Sequence, residues 1–225
     1  MSIGIIIQAR TGSTRLPGKV LKPVAGKVLL DHVLGRLLLL DFPVKVVVAT
    51  SNLPQDDSIA EHCLQAGAAL FRGSETDVLD RYYQCALENR FEQVVRLTAD
   101  NPFTDIAELK RLIELHLSEK NDYTHSFGMM PLGVGAEIFT FAALERSAHE
   151  GHAPNHREHV NEYIQEHPEI FKTGVLEVSA SKRRPGLRLT VDTEDDYSRA
   201  CAIAAHAPDR WIETEEAIDL CMQSV

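Results

Sequence analysis

The sequence predicts an α/β fold with a largely parallel central sheet, and three observations carry that prediction. Short apolar runs alternate with longer segments of helical spacing from Ile3 to Leu117. The runs are uniformly apolar, as expected for parallel strands buried on both faces. The chain has 225 residues, 44% hydrophobic and 25% charged, enough for one good-sized core.

The elements follow in order. Ile3–Gln8 reads as a buried strand, Leu29–Leu40 as a helix and the β-branched run Val44–Ala49 as a strand. Ser58–Ala66 is a helix, Ala68–Phe71 a strand, Asp77–Asn89 a helix, Gln93–Thr98 a strand and Ile106–Leu117 a helix. After Asn121 the pattern loosens. Tyr123–Phe127 and Ala136–Thr140 read as strands around the Gly/Pro-containing stretch Gly128–Gly135. Phe141–His149 and His156–Glu166 read as helices, with Asn155 and Glu158 suited to a capping box for the second. Arg188–Val191 is expected as a last short strand, followed by a helix from Thr193 and another over Glu213–Met222. One domain over 1–225 is expected, with an inserted lobe within about 121 to 185.

The formal net charge is -10, so nonspecific binding to nucleic acid is not expected. No basic segment followed by a long apolar one opens the chain, and runs such as Val44–Val48 are too short to cross a bilayer. The four cysteines form no C-x-x-C pair, so reduced structural thiols and a cytoplasmic location are expected.

Positive charge is nevertheless concentrated in one place. The loop after the first strand runs Gln8-Ala9-Arg10-Thr11-Gly12-Ser13-Thr14-Arg15-Leu16-Pro17-Gly18-Lys19 and contains no acidic residue. In open α/β sheets, ligands bind beyond the carboxyl ends of the strands. Gly12 and Gly18 allow close backbone approach, Ser13 and Thr14 offer hydroxyls, and Arg10, Arg15 and Lys19 suit phosphates. A solvated surface loop with scattered charges is the plainer alternative. The loop is not a Walker A motif, because five residues separate Gly12 from Gly18 and Val20 follows Lys19.

The segment Ile7–Lys19 resembles the signature loop of the acylneuraminate cytidylyltransferase family. It is closest to the spore-coat polysaccharide biosynthesis branch and related to the enzymes that make CMP-sialic acid and CMP-Kdo. Further matches run in order along nearly the whole chain. They are Val48-Ala49-Thr50-Ser51, Phe71-Arg72-Gly73-Ser74 with Asp77-Val78-Leu79-Asp80-Arg81-Tyr82, Arg96-Leu97-Thr98-Ala99-Asp100-Asn101-Pro102, Arg157-Glu158-His159-Val160 and Leu189-Thr190-Val191-Asp192-Thr193.

The resemblance implies a Rossmann-like three-layer nucleotidyltransferase fold and transfer of CMP from CTP to a sugar, expected to be acidic and of the nonulosonic type. It also implies a homodimer, with the inserted lobe within about 121 to 185 serving sugar binding and dimerisation. Asp100 and Asp192, each where a strand should end, would hold Mg2+, a cation that takes hard oxygen ligands. Other readings stand beside these: Asp100-Asn101-Pro102 as a simple turn, and Asp192 as support for the helix capped by Thr193. The anomeric hydroxyl would attack the α-phosphorus in line while Arg10, Arg15 and Lys19 hold the β- and γ-phosphates. On this reading Arg10, Lys19 and Asp100 form the catalytic set, and Gly12 and Ser13 belong to the nucleotide loop.

By the same resemblance, Ala9, Arg72, Gly73 and Asp77 would surround the pyrimidine, although Asp77 also suits a helix N-terminus. Glu137, His156, Arg157 and His159 are the sugar-site candidates, with Arg157 able to grip a carboxylate. Relatives usually carry Gly-x-Asp-x-Glu here, whereas this chain reads Gly133-Val134-Gly135-Ala136-Glu137, so the motif does not fix the sugar. Two other functions compete with this one: a nucleotidyltransferase using another base or a non-sugar acceptor, and a non-catalytic nucleotide-binding module.

Overall fold

The computed structural model describes residues 1–223; Ser224 and Val225, the end of the expected domain, lie outside the described residues. The elements are β1 (Ile3–Gln8), β2 (Pro23–Val24), β3 (Lys27–Val28), α1 (Leu29–Leu37), β4 (Lys45–Ser51), α2 (Asp57–Ala66), β5 (Ala69–Gly73) and α3 (Val78–Asn89). They continue with β6 (Gln93–Thr98), α4 (Ile106–Glu119), β7 (Tyr123–His125), β8 (Glu137–Thr140), α5 (Phe141–Glu150), α6 (Pro154–Glu158), α7 (Glu162–Glu166), β9 (Thr173–Val175), α8 (Glu194–Ala205) and α9 (Thr214–Gln223).

The main sheet has seven strands in the order β5-β4-β1-β6-β8-β7-β9. β1 lies parallel between β4 and β6, and β5 continues the parallel half. β8 runs antiparallel to β6 and β7, while β9 pairs parallel to β7. Alternate side chains of each strand enter two cores. Ile5, Ile7, Val48, Val95 and Ile138 pack under α1, α2, α4, α8 and α9. Ile6, Val47, Val94 and Phe139 pack under α3, α5 and α7. That is the expected three-layer α/β/α arrangement, with both faces of the sheet covered.

Four expectations are corrected. Arg188–Val191 does not form a strand. Leu189 and Val191 donate their N–H groups to the loop carbonyls of Leu132 and Asp100, both at 2.9 Å, so the segment stays outside the sheet. His156–Glu166 is two short helices with His159–Asn161 between them, which lets Val160 reach the core beside Tyr163 and Ile164. The Asn155/Glu158 capping box is absent. Pro154 opens α6, and the Asn155 amide donates to Glu166. α1 ends at Leu37 instead of Leu40, after which the chain closes tight turns from Leu39 to Arg36 and from Leu40 to Leu37.

The stretch 121–185 adds β7, β8 and β9 to the common sheet and carries α5, α6 and α7. The β2–β3 hairpin, which turns through Ala25 and Gly26 at positive φ, and β9 have no counterpart in the sequence prediction. No helix of the described residues is long and apolar enough to cross a membrane. Cys63, Cys85 and Cys221 are buried free thiols, and burial pushes Cys63 up to about 11 and Cys85 up to about 12.

Candidate active site

The carboxyl ends of β1 and β6 lie side by side, and the loops that leave them frame a cleft. The first loop is built around Thr11. Its carbonyl accepts the N–H groups of Ser13 at 2.8 Å and Gly18 at 3.0 Å, which folds the loop back on itself. Gly18 stands at φ 67, the left-handed region, and this turns the chain into the 3-10 turn Lys19–Leu21. Thr11 is anchored in turn by Asp56, whose Oδ1 accepts the Thr11 N–H at 2.8 Å and hydroxyl at 2.7 Å. Asp56 is fully buried. Burial opposes its charge, but hydrogen bonds from Ser51 and Thr11 outweigh that and hold its carboxyl below the usual range.

Lys19 is the centre of the site. Only 7% exposed, its Nζ donates to Asp100 Oδ2 at 2.7 Å, Asp192 Oδ1 at 2.7 Å and the Val191 carbonyl at 2.8 Å. An ammonium has three N–H bonds, so Lys19 is saturated. The two aspartates reach it from segments 92 positions apart. The Val191 N–H donates to the Asp100 carbonyl at 2.9 Å and joins those segments. Thr98 Oγ1 donates to Asp100 Oδ1 at 2.6 Å, and the Asn101 amide donates to Thr98 at 2.8 Å, so one oxygen of Asp100 is held from behind. Asp192 also meets Arg188, and Arg15 at 3.3 Å. Its burial favours the neutral acid, yet Lys19, then Arg15 and Arg188, hold it below the ordinary carboxylate range.

The cleft over this cluster holds ≈ 210 Å³ and is lined by Arg10, Gly12, Ser13, Arg15, Lys19, Asp100 and Asp192, among others. Across Thr98, Asp100 and Asp192 it opens into a second space of ≈ 680 Å³. Arg96, Ser126, Phe127, Met130, Leu132, Gly135 and His159 lie on the walls of that space. A Cβ at Gly135 would sit 2.7 Å from Ser126 Oγ, so the Ser126 hydroxyl takes up the room an acidic side chain at 135 would need.

Several expected site residues face elsewhere. Arg72 holds the carbonyls of Ser51 and Leu53 and pairs with Asp57 at 2.7 Å. Asp77 caps α3 through the Asp80 N–H and accepts both Nε and Nη2 of Arg157. The remaining Nη1 of Arg157 donates to the carbonyls of Ala148 and Gly151, so Arg157 ties α6 to α3 instead of opening onto the cleft. His156 is buried against Glu166. Glu137 is 0% exposed, with its oxygens on Arg96 at 2.5 Å and the Tyr123 hydroxyl at 2.6 Å. Of the four sugar-site candidates, His159 alone is among the cleft residues. Ala9 is buried, and its N–H donates to the Ala49 carbonyl, while Gly73 packs against Arg81.

Sequence reasoning passed over Thr98, Arg96 and Arg188. The signal for Arg96 was present: a charged residue inside the apolar run Val94-Val95-Arg96-Leu97 needs a buried partner or a ligand. For Arg188 the signal was its i,i+4 spacing to Asp192.

Among the described residues no set of three or more His, Cys, Asp or Glu side chains is gathered as a metal cage. Asp100 and Asp192 are two hard carboxylates already converged on one cationic group, and ligand oxygens and water would have to complete a metal's shell there. That pair fits magnesium, which commonly takes one or two carboxylates.

A cytidylyltransferase family model matches residues 4–221. The chain is 39% identical over 210 residues to the spore coat polysaccharide biosynthesis protein SpsF of Bacillus subtilis, covering 91% of this chain and 87% of that one. Its fold matches a solved cytidylyltransferase from Leptospira borgpetersenii with TM-score 0.93 and 31% identity, over 100% of this chain and 95% of the other. A solved CMP:2-keto-3-deoxy-manno-octonic acid synthetase in complex with CTP matches with TM-score 0.69 at 18% identity, over 92% and 99%. With a signature match over almost its whole length and the same three-layer frame, the chain belongs to the cytidylyltransferase family.

Proposed function

We propose that this protein transfers CMP from CTP to an acidic, nonulosonic-type sugar and releases pyrophosphate, in the synthesis of a surface polysaccharide or glycoconjugate. The observation that carries the reading is the convergence of Lys19 with Asp100 and Asp192 below a loop bearing Arg10 and Arg15. It is supported by the solved synthetase that holds CTP on the same fold and by the polysaccharide role of the Bacillus relative.

The division of labour follows from the donors. With Lys19 engaged by Asp100, Asp192 and Val191, Arg10 and Arg15 meet the β- and γ-phosphates first, with the loop hydroxyls and N–H groups beside them, and Lys19 joins them once magnesium takes the two carboxylates. Lys19 holds two carboxylates together that would otherwise repel one another. Magnesium, held by Asp100 and Asp192 in exchange for Lys19, would supply charge neutralisation at the triphosphate. The sugar lies in the larger space, with its anomeric hydroxyl toward Asp100 and the α-phosphorus between the two spaces. In-line attack then needs positioning and charge stabilisation, and no covalent intermediate on the protein. Ala9 and the Arg72–Asp77 segment act on the base through backbone groups, because the side chains of Arg72 and Asp77 are engaged elsewhere.

The test is pyrophosphate release with each of the four ribonucleoside triphosphates against a panel of acidic and neutral sugars. Turnover with CTP and an acidic sugar is expected. Preferential turnover of UTP or GTP sinks the base assignment, and CTP binding without turnover of any sugar points to a binding module.

A further inference from the structure

The larger space of the cleft has an apolar wall of Phe127, Met130, Pro131 and Leu132. Arg96 is the one arginine or lysine among the described residues that line it. Its guanidinium is held from behind. Nη1 donates to Glu137 Oε1 at 2.5 Å, and the second Glu137 oxygen is engaged by the Tyr123 hydroxyl at 2.6 Å. The guanidinium carbon lies 5.9 Å from the centroid of the Tyr82 ring. The Arg96 Nε–H is buried and has no hydrogen-bond partner. A buried donor without an acceptor is unfavourable unless a ligand supplies one.

We propose that Arg96 reads the carboxylate of the sugar acceptor, offering it the edge of the guanidinium that Glu137 leaves open. The assignment rests on the CTP:acidic-sugar reading above. The other cations near the cleft are placed elsewhere: Arg157 grips Asp77, Lys19 lies between the two aspartates, and Arg10 and Arg15 line the smaller space, where the triphosphate is assigned. Arg96 is instead fixed in orientation while its Nε–H lacks an acceptor. An arginine fork matches a planar carboxylate, whereas a lysine in its place would offer a point charge. Glu137 and Tyr123 are positioning residues, acting through Arg96 and not on the sugar.

The experiment is steady-state pyrophosphate release by the full chain with CTP. It compares an acidic nonulosonic sugar with the same sugar reduced at its carboxyl to an alcohol. The parent is expected to favour the acid. Arg96→Gln is expected to raise KM for the acid about 10- to 100-fold. It should leave KM for CTP and for the alcohol within about twofold, so that the preference collapses. Arg96→Lys should fall between, and calorimetric CTP binding establishes that each variant is folded. Tyr123→Phe, which loosens the support but keeps the guanidinium, should raise KM for the acid alone. An unchanged acid-to-alcohol preference in Arg96→Gln overturns the assignment, and so does a parent that prefers the alcohol. Equal shifts for both sugars in Tyr123→Phe also overturn it. If the parent releases no pyrophosphate from CTP with either sugar, the transferase reading itself falls, a pattern distinct from turnover without acid preference.

Discussion

Replacing Lys19 by methionine removes the one cation shared by Asp100 and Asp192 while keeping much of the buried stem. The parent ammonium makes three hydrogen bonds of 2.7 to 2.8 Å. Breaking a buried ion pair from one side costs about 3–5 kcal/mol. Here Asp100 and Asp192 keep side-chain exposures of 24% and 20%, and Asp192 retains Arg188, so the low end, about 3 kcal/mol, applies. For a chain of this length, each kcal/mol shifts Tm by about 2–4 °C, which gives a fall of about 6–12 °C near neutral pH. Magnesium should raise the Tm of Lys19→Met more than that of the parent, because the carboxylates lose their internal competitor. The pH dependence has a defined sign. Asp192 is held low in the folded parent, so its contribution is present above the ordinary carboxylate pKa near about 4 and is lost as pH falls through the depressed folded value. The gap between parent and variant should therefore narrow in acid. Thermal melts by calorimetry across pH, with and without magnesium, measure all three. A variant that melts within about 1 °C of the parent and responds no more strongly to magnesium would refute the shared-cation account.

Asp100→Asn should keep the fold and lower pyrophosphate release by about 10²–10³ at saturating magnesium; equal activity would remove Asp100 from the reacting centre. Arg157→Ala breaks the tie between α6 and α3 and leaves Asp77 unpaired. Urea titration should show a loss of about 1–3 kcal/mol with KM for the sugar nearly unchanged, and a selective rise in that KM would return Arg157 to the sugar site. Asp196 is held down to about 2, since hydrogen bonds from the Asp192 N–H and from Arg188 outweigh its burial. Its stabilisation is present above about pH 4 and lost as pH falls from there toward the folded value, so Asp196→Asn should flatten the acid limb of the stability profile.

The parallel half of the sheet was legible because its strands are continuous apolar runs, and burial on both faces demands such runs. Ile3–Gln8 and Gln93–Thr98 match β1 and β6 residue for residue. The β2–β3 hairpin and β9 were not legible. They have two and three residues per strand, too few for periodicity to register. His156–Glu166 misled for a related reason: its apolar positions suit one helix, but the burial of Val160 breaks it in two.

The same contrast holds at the site. By itself the sequence determined the α/β class and the cationic loop of Arg10, Arg15 and Lys19, because these depend on residue types held close together along the chain, while the candidate aspartates came from the resemblance of the motifs around them. Tertiary structure alone decided that Asp100 and Asp192 share one ammonium, that Arg157 and Asp77 engage each other, and that Arg96 stands in the cleft while Glu137 lies behind it. Each of these is a choice of partner among charges far apart in sequence. Partner choice follows from which strand ends and loops the folded core brings within hydrogen-bonding reach, a distance of about 3 Å that spacing along the chain does not encode.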